Sequence, residues 1–414
     1  MIMITEKIRT RIIEALKATD YDFDESKVSV ELTKSLDKGD YTTNIAMILA
    51  SELKLNPKEL AQKITDNIQD DGDIEKVEVA GPGFINFYLS DRYLLTQIQK
   101  ILSNGAKEYV KSSIKENRDI LVEYTDANPF KVFHIGHLYT NTVGEAFSRL
   151  QETTSANVKR ASYQGDIGLH VAKTMWGLKK LLKDEDRKFE EIEKLELSER
   201  VQFLGEAYMT GAQYYDDLED SKAIEEIQEI NYYLSSLVYP SIEQKGTDKY
   251  KYMDDWYRKG RIWCLEQFET IYDTLGTEFD YYFFESKVGE IGYNMVKDNV
   301  GKLFKEDEGA VIYEGDPDKG LHTRVFINQF GLPTYEAKEL GLAKAKSAKG
   351  DFDESIMITD KSQGPYFKVV LDALSKLDPD IAKAIIHMSH GVVALPGMKK
   401  MSSRKGEVIS AEEL

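Results

Sequence analysis

A chain of 414 residues has room for two or three domains, and 42% hydrophobic residues supply ample core material and argue against global disorder. Its 54 Lys and Arg against 72 Asp and Glu leave a formal charge of −18, which argues against strong nonspecific nucleic-acid binding but leaves room for a confined, salt-sensitive basic patch. A single cysteine, Cys264, excludes an intrachain disulfide and a cysteine-cluster metal site, and with no apolar run of membrane-spanning length and no signal-peptide core in MIMITEKIRTRI, a cytoplasmic protein without a membrane role is the expectation.

Residues 1–112 read as a small α+β module. Ile8, Ile12 and Leu16 recur every four residues, as on one face of a helix, and Asn44–Leu55 and Pro57–Ile68 suggest two more helices. Val28–Leu32 and Val77–Leu89 are strand-like, the second broken by Gly81-Pro82-Gly83. The polar, Lys-rich stretch Gly105–Arg118 marks the boundary.

Strands and helices alternate from there to the end, which predicts a parallel sheet in residues 113–414. Ile120–Tyr124 is a buried strand, and Asp126, Asn128 and Pro129 supply a turn. His134-Ile135-Gly136-His137 then opens a helix in which Leu138, Val143, Ala146, Phe147 and Leu150 share a face. Such a strand-turn-helix junction is where parallel α/β sheets bind anions, because free helix N–H groups and the positive dipole end point there. Histidines three apart face one side, where imidazoles can donate to phosphate, and Gly136 lets a planar base lie against the backbone. Val158–Gln164 is the next strand, followed by a helix over His170–Leu182 and a helical insertion, rich in Tyr and acidic residues, over about 183–276. The alternation resumes with strands at Phe279–Phe284, Ala310–Tyr313 and Arg324–Asn328, a helix over Thr334–Leu342, a strand at Ile356–Thr359 and a helix over Gly364–Leu374. His387–Val393 and the loop Gly397–Gly406 come last.

No GxxxxGK[ST] phosphate loop occurs, and Gly81-Pro82-Gly83 lacks the third glycine and following helix of a dinucleotide fingerprint. Taken alone, His134 and His137 could be ordinary surface or core histidines. The loop GMKKMSSRKG, Gly397–Gly406, is either a solvated charge run or a mobile phosphate clamp, with glycines for closure and cations to neutralise a leaving pyrophosphate.

His134-Ile135-Gly136-His137 together with Lys400-Met401-Ser402-Ser403-Arg404 resembles the HIGH and KMSKS pair of class I aminoacyl-tRNA synthetases. VEYTDANPFKVFHIGHL, GDIGLHVAK, FDYYFFES, GLPTYEAKELGLA and GMKKMSSRKGEVISAEEL are similar, in order, to signature blocks of arginyl-tRNA synthetases. GDYTTN (Gly39–Asn44) and VAGPGFIN (Val79–Asn86) resemble that family's N-terminal tRNA-binding domain. The resemblance covers nearly the whole chain. It implies a Rossmann-type catalytic domain that joins arginine to tRNA-Arg in two steps, through an arginyl-adenylate made from ATP, with Mg2+ accompanying the ATP and a monomer as the working state. It assigns catalysis to Lys131, His134, His137 and Lys400, and ATP binding to these with Gly136, Met401, Ser402, Ser403 and Arg404. Glu123, Asn128, His134 and Gln363 would hold the amino-acid end of arginine, and Glu285, Tyr335 and Glu339 its guanidinium. Ser403 stands where the family has a lysine, a loss for which Lys131 would compensate, and Glu339 stands where an aspartate is usual. The family's helical anticodon-binding domain is absent from these 414 residues. Two readings stay beside this one: a nucleotidyltransferase acting on a small metabolite, and a truncated form that binds ATP, arginine or tRNA with little or no charging.

Overall fold

The computed structural model describes residues 4–69, 72–243 and 248–391, in two compact units, Met1–Ser113 and Ile114–Leu414. In the first unit, helix α1 (Ile4–Lys17), strands β1 (Glu31–Leu32) and β2 (Tyr41–Thr43), helices α2 (Ile45–Leu53) and α3 (Pro57–Asp66), strands β3 (Ile74–Ala80) and β4 (Phe84–Leu89), and helices α4 (Asp91–Asn104) and α5 (Ala106–Val110) follow in order. The strands form a sheet in the order β1-β2-β4-β3, antiparallel throughout. Asn56 caps α3 by accepting from the Lys58 N–H at 2.9 Å, with Pro57 ready-set for the first helical position. Ile8, Ile12 and Leu16 do face the core, which they share with Ile45, Leu49, Leu60, Ile64, Ile85 and Phe87. The strand expected over Val28–Leu32 shrinks to Glu31–Leu32, because Asp24 caps a tight turn at Glu25–Lys27 just before it. Helix α4 went unread because the polar boundary stretch begins only after it.

The second unit runs β5 (Asp119–Glu123), α6 (Ile135–Glu152), β6 (Asn157–Gln164), α7 (Leu169–Asp184), α8 (Phe189–Ile192), α9 (Leu197–Ala212), α10 (Ser221–Val238), α11 (Met253–Leu275), β7 (Tyr281–Phe284) and α12 (Glu285–Lys297). It continues with β8 (Lys305–Asp307), β9 (Ala310–Tyr313), β10 (Arg324–Ile327), α13 (Tyr335–Ser347), β11 (Glu354–Asp360), α14 (Gly364–Leu377), α15 (Pro379–Ala384) and β12 (Ile385–His390). Among the described residues its main sheet has five strands in the order β12-β11-β5-β6-β7, every pair parallel. The chain leaves β5 toward β6 on one side, and β11 returns to its other side. The crevice beyond the carboxyl ends of β5 and β11 is therefore a topological switch point.

Side-chain alternation along β5 sends Ile120 and Val122 into the large core built with α7, α9, α10 and α11, while Leu121 joins Ala161, Tyr163, Phe283, Val288 and Leu342 on the opposite face. Helices α12 and α13 cover that second face. A Cβ on Gly292 would collide with the Ala337 carbonyl and one on Gly341 with the Val288 carbonyl, so the two helices touch backbone to backbone.

One expectation is corrected. The strands at Ala310–Tyr313 and Arg324–Asn328 do not join the parallel sheet; β9 and β10 pair antiparallel with β8 in a separate sheet of order β10-β9-β8. Glu308 and Gly309, with φ of 45° and 82°, make the two-residue turn between β8 and β9, and such a turn can only reverse the chain.

Candidate active site

Helix α6 begins at the switch point, and its first turn is built from its own histidines. His134 is the N-cap, its Nδ1 accepting from the Gly136 N–H at 3.1 Å, while the His134 N–H donates to His137 Nδ1 at 3.3 Å. A backbone N–H can only donate, so both Nδ1 atoms are acceptors and each neutral ring carries its proton on Nε2. The rings stack at 3.9 Å between centroids, 14° from parallel. Burial holds the His134 ring below the ordinary histidine value, with Lys131 adding to it, and burial, His134 and Lys131 together hold His137 well below. The pair is thus two neutral Nε2–H donors at a helix N-terminus. Gly136 has a reason the sequence does not announce: a Cβ there would lie 2.8 Å from His134 Cε1, where the capping ring folds back. Across the crevice, His390 at the end of β12 meets the Thr140 hydroxyl at 3.0 Å.

Beside the histidines the fold buries a set of charges. Glu123, the last residue of β5, is ion-paired with Lys346 of α13 at 2.7 Å, and Glu285, the first residue of α12, with Lys338 of α13 at 2.5 Å. All four side chains are 7% exposed or less. Lys338 also donates to the Ile167 carbonyl at 3.2 Å. Asp166, fully buried, accepts from the Ser286 N–H at 2.8 Å, the Ser286 hydroxyl at 2.7 Å and Arg261 Nε at 2.7 Å, so α11 of the helical insertion braces the start of α12 and with it Glu285. The insertion also supplies Tyr208, over whose ring the Lys131 ammonium lies 5.5 Å from the centroid. Gly165 leaves room for two acceptors at once: a Cβ there would clash with Asn128 Oδ1 and stand 3.1 Å from Glu285 Oε1.

The acids outnumber their lysine partners. Burial, then Glu123, push both Asp126 and Glu339 well above the ordinary carboxyl range, and burial raises Glu285 despite Lys338. A bound cation would favour the ionised forms of these acids.

The structure therefore draws Lys131, His134, Gly136 and His137 to the start of α6, and Glu123, Asn128, Glu285 and Glu339 to the adjoining crevice. Tyr335, 55% exposed, opens α13, and Gln363 ends the exposed turn Lys361–Gln363 after β11. The Glu123 carboxylate already has Lys346 as a partner, because a lone buried carboxylate is costly and the fold supplies a cation. Lys400, Met401, Ser402, Ser403 and Arg404 lie outside the described residues. Sequence reading missed Asp166, Lys338 and Lys346. GDIG, at Gly165–Gly168, was a signal for the first; on α13 nothing distinguished inward lysines from outward ones.

Sheet order, switch point and a histidine-capped helix together define a Rossmann-type nucleotide-binding domain. Residues 97–414 match the family described as tRNA synthetases class I (R), catalytic domain, and residues 6–89 that described as arginyl tRNA synthetase N terminal domain. The chain belongs to the class I arginyl-tRNA synthetase family. It is 28% identical to the arginine–tRNA ligase of Fusobacterium nucleatum across 93% of this chain and 63% of that protein, and 26% identical to the cytoplasmic arginine–tRNA ligase of Homo sapiens across 100% and 60%. It thus spans less than two thirds of the length of those relatives. The arginyl-tRNA synthetase of Thermus thermophilus superposes with a TM-score of 0.67 at 20% identity over 99% of this chain and 68% of that one, which speaks for the fold.

Proposed function

We propose that this chain activates arginine with ATP and passes it to tRNA-Arg, as an arginine–tRNA ligase. The observation that carries the reading is the juxtaposition of two neutral, backbone-fixed Nε2–H donors with the carboxylates of Glu123, Glu285 and Glu339 in the adjoining crevice: the first suits phosphate, the second a cationic amino acid. In the first step an arginine carboxylate oxygen attacks the α-phosphorus of ATP, the bond to the bridging oxygen breaks, and pyrophosphate leaves. In the second a ribose hydroxyl of the terminal adenosine of tRNA attacks the arginyl carbonyl and AMP leaves. No protein nucleophile is needed; positioning and charge stabilisation by His134, His137, Lys131 and Lys400 supply the acceleration. Glu123, Asn128, His134 and Gln363 take the amino-acid end, and Glu285, Tyr335 and Glu339 the guanidinium. Magnesium would travel with the ATP, held largely by its phosphates. The protein works as a soluble cytoplasmic monomer.

Arginine-dependent ATP–pyrophosphate exchange, measured with and without tRNA, tests the reading. Exchange that requires arginine and is enhanced by tRNA is expected. Exchange driven by another metabolite without RNA would make the chain a nucleotidyltransferase, and adenylate formation without charging would favour the truncated form with little or no charging activity.

A further inference from the structure

Two phenols that no motif singled out border the carboxylate cluster. Tyr163, on β6, is 8% exposed, and its hydroxyl is buried without a hydrogen-bond partner among the described residues. Tyr366, in the first turn of α14, likewise buries an unpartnered hydroxyl. Tyr163 packs with Val288 of α12 and Leu342 of α13, each one turn from Glu285 or Glu339, and Tyr366 packs beside Ala337 and Leu340 of α13 with the Arg324 guanidinium 5.2 Å from its ring centroid. Glu285 and Glu339 act electrostatically on both phenols, and Tyr366 on Tyr163. Burying a hydroxyl without a partner is costly, so two of them beside one acidic crevice call for an occupant that hydrogen-bonds.

The chemistry of the crevice says what that occupant needs. A guanidinium presents five N–H donors in a plane. Glu285 has one oxygen, Oε2, engaged by Lys338, while Oε1 faces Gly165 and Asn128. The carboxylates therefore leave part of the fork unmatched. A neutral phenol can accept one N–H and donate its own O–H to a neighbouring carboxylate, linking ligand and acid. We propose that the hydroxyls of Tyr163 and Tyr366 complete the acceptor set for the guanidinium of arginine and make the site selective for it over lysine, whose ammonium has three donors and no plane. This rests on the arginine reading above.

The test removes the oxygen alone. Tyr163→Phe and Tyr366→Phe are each expected to weaken arginine binding about tenfold, in calorimetry and in the KM of exchange with tRNA present, with the KM for ATP unchanged and selectivity over lysine reduced. Their melting temperatures should hold or rise, because each variant deletes a buried, unpaired group. A fall in melting temperature with arginine binding intact would show the hydroxyls to be structural and overturn the proposal, as would two variants that bind arginine like the parent. If the parent itself binds no arginine, the functional reading falls and this inference with it; if the parent binds and the variants match it, this inference falls alone.

Discussion

On one face of the parallel sheet Ile120, Val122, Ile356 and Ile358 enter an apolar core with α7, α9, α10 and α11; on the other, Leu121 and Phe283 sit beside Tyr163, two buried lysine–carboxylate pairs and two acids without lysines of their own. The first face is what burial of apolar area favours without specificity. The second costs free energy in the empty protein, since desolvated charges recover their hydration only where geometry is good. The contrast separates the side that holds the domain together from the side to which the proposed function assigns ligand discrimination, and it can be attacked from either side.

The largest effect should come from splitting a buried pair. Lys346→Met strands Glu123 and should cost about 3–5 kcal/mol of stability in denaturant unfolding, while adding Glu123→Gln should restore most of it. A single variant as stable as the parent would show that the pair contributes nothing. Next comes chemistry with a smaller stability cost, about 1 kcal/mol for the lost cap contact: His137→Ala should slow adenylate formation by roughly 10²-fold, as for loss of one oxyanion donor. Near-normal single-turnover rates in a folded variant would remove His137 from the reaction.

Proton linkage follows. Asp126 and Glu339 are raised above their ordinary values of 3.8 and 4.5. A cation binds their ionised forms, so arginine affinity should increase as pH rises through the raised values, by up to about tenfold per unit for one proton, with protons released to buffer. Stability runs the other way. Acids that hold their protons more tightly folded than unfolded contribute fully below the unfolded values, and that contribution is lost as pH rises through the folded ones. Calorimetry in buffers of different protonation heat, beside melting curves over the same range, checks both signs; a flat affinity with rising stability would contradict them. The smallest effect belongs to the apolar face: Ile120→Val should cost about 0.5–1.5 kcal/mol and leave the KM for arginine alone. A changed KM would mean the faces are not separate.

Much of this was legible beforehand. The run Ile120–Tyr124, the turn at Asn128-Pro129 and the spacing of His134 and His137 each carry a local signal, and the structure returns them as β5, a loop and the first turn of α6. Helix α13 shows why the rest was not. EAKELGLAKAKS reads as a solvated surface helix, yet Glu336, Ala337, Lys338, Leu340, Gly341, Leu342, Ala343 and Lys346 are all buried, because its lysines answer carboxylates brought from β5 and α12 by tertiary packing. Periodicity records apolar faces and is blind to ion pairs formed across elements. Tyr163 was likewise hidden inside a strand whose residues all look like core.

The backbone contact between α12 and α13 bears on redesign. Gly292 and Gly341 lie within two turns of Glu285 and Glu339, and neither would be chosen as a ligand residue. The close approach of α12 to α13, the helices that carry the two carboxylates, nonetheless depends on the absent methyl groups at that crossing, so the two helices act as one jaw. On the proposed function, retuning the crevice for a longer or shorter cation would begin there, by changing the calibre of the jaw instead of its teeth.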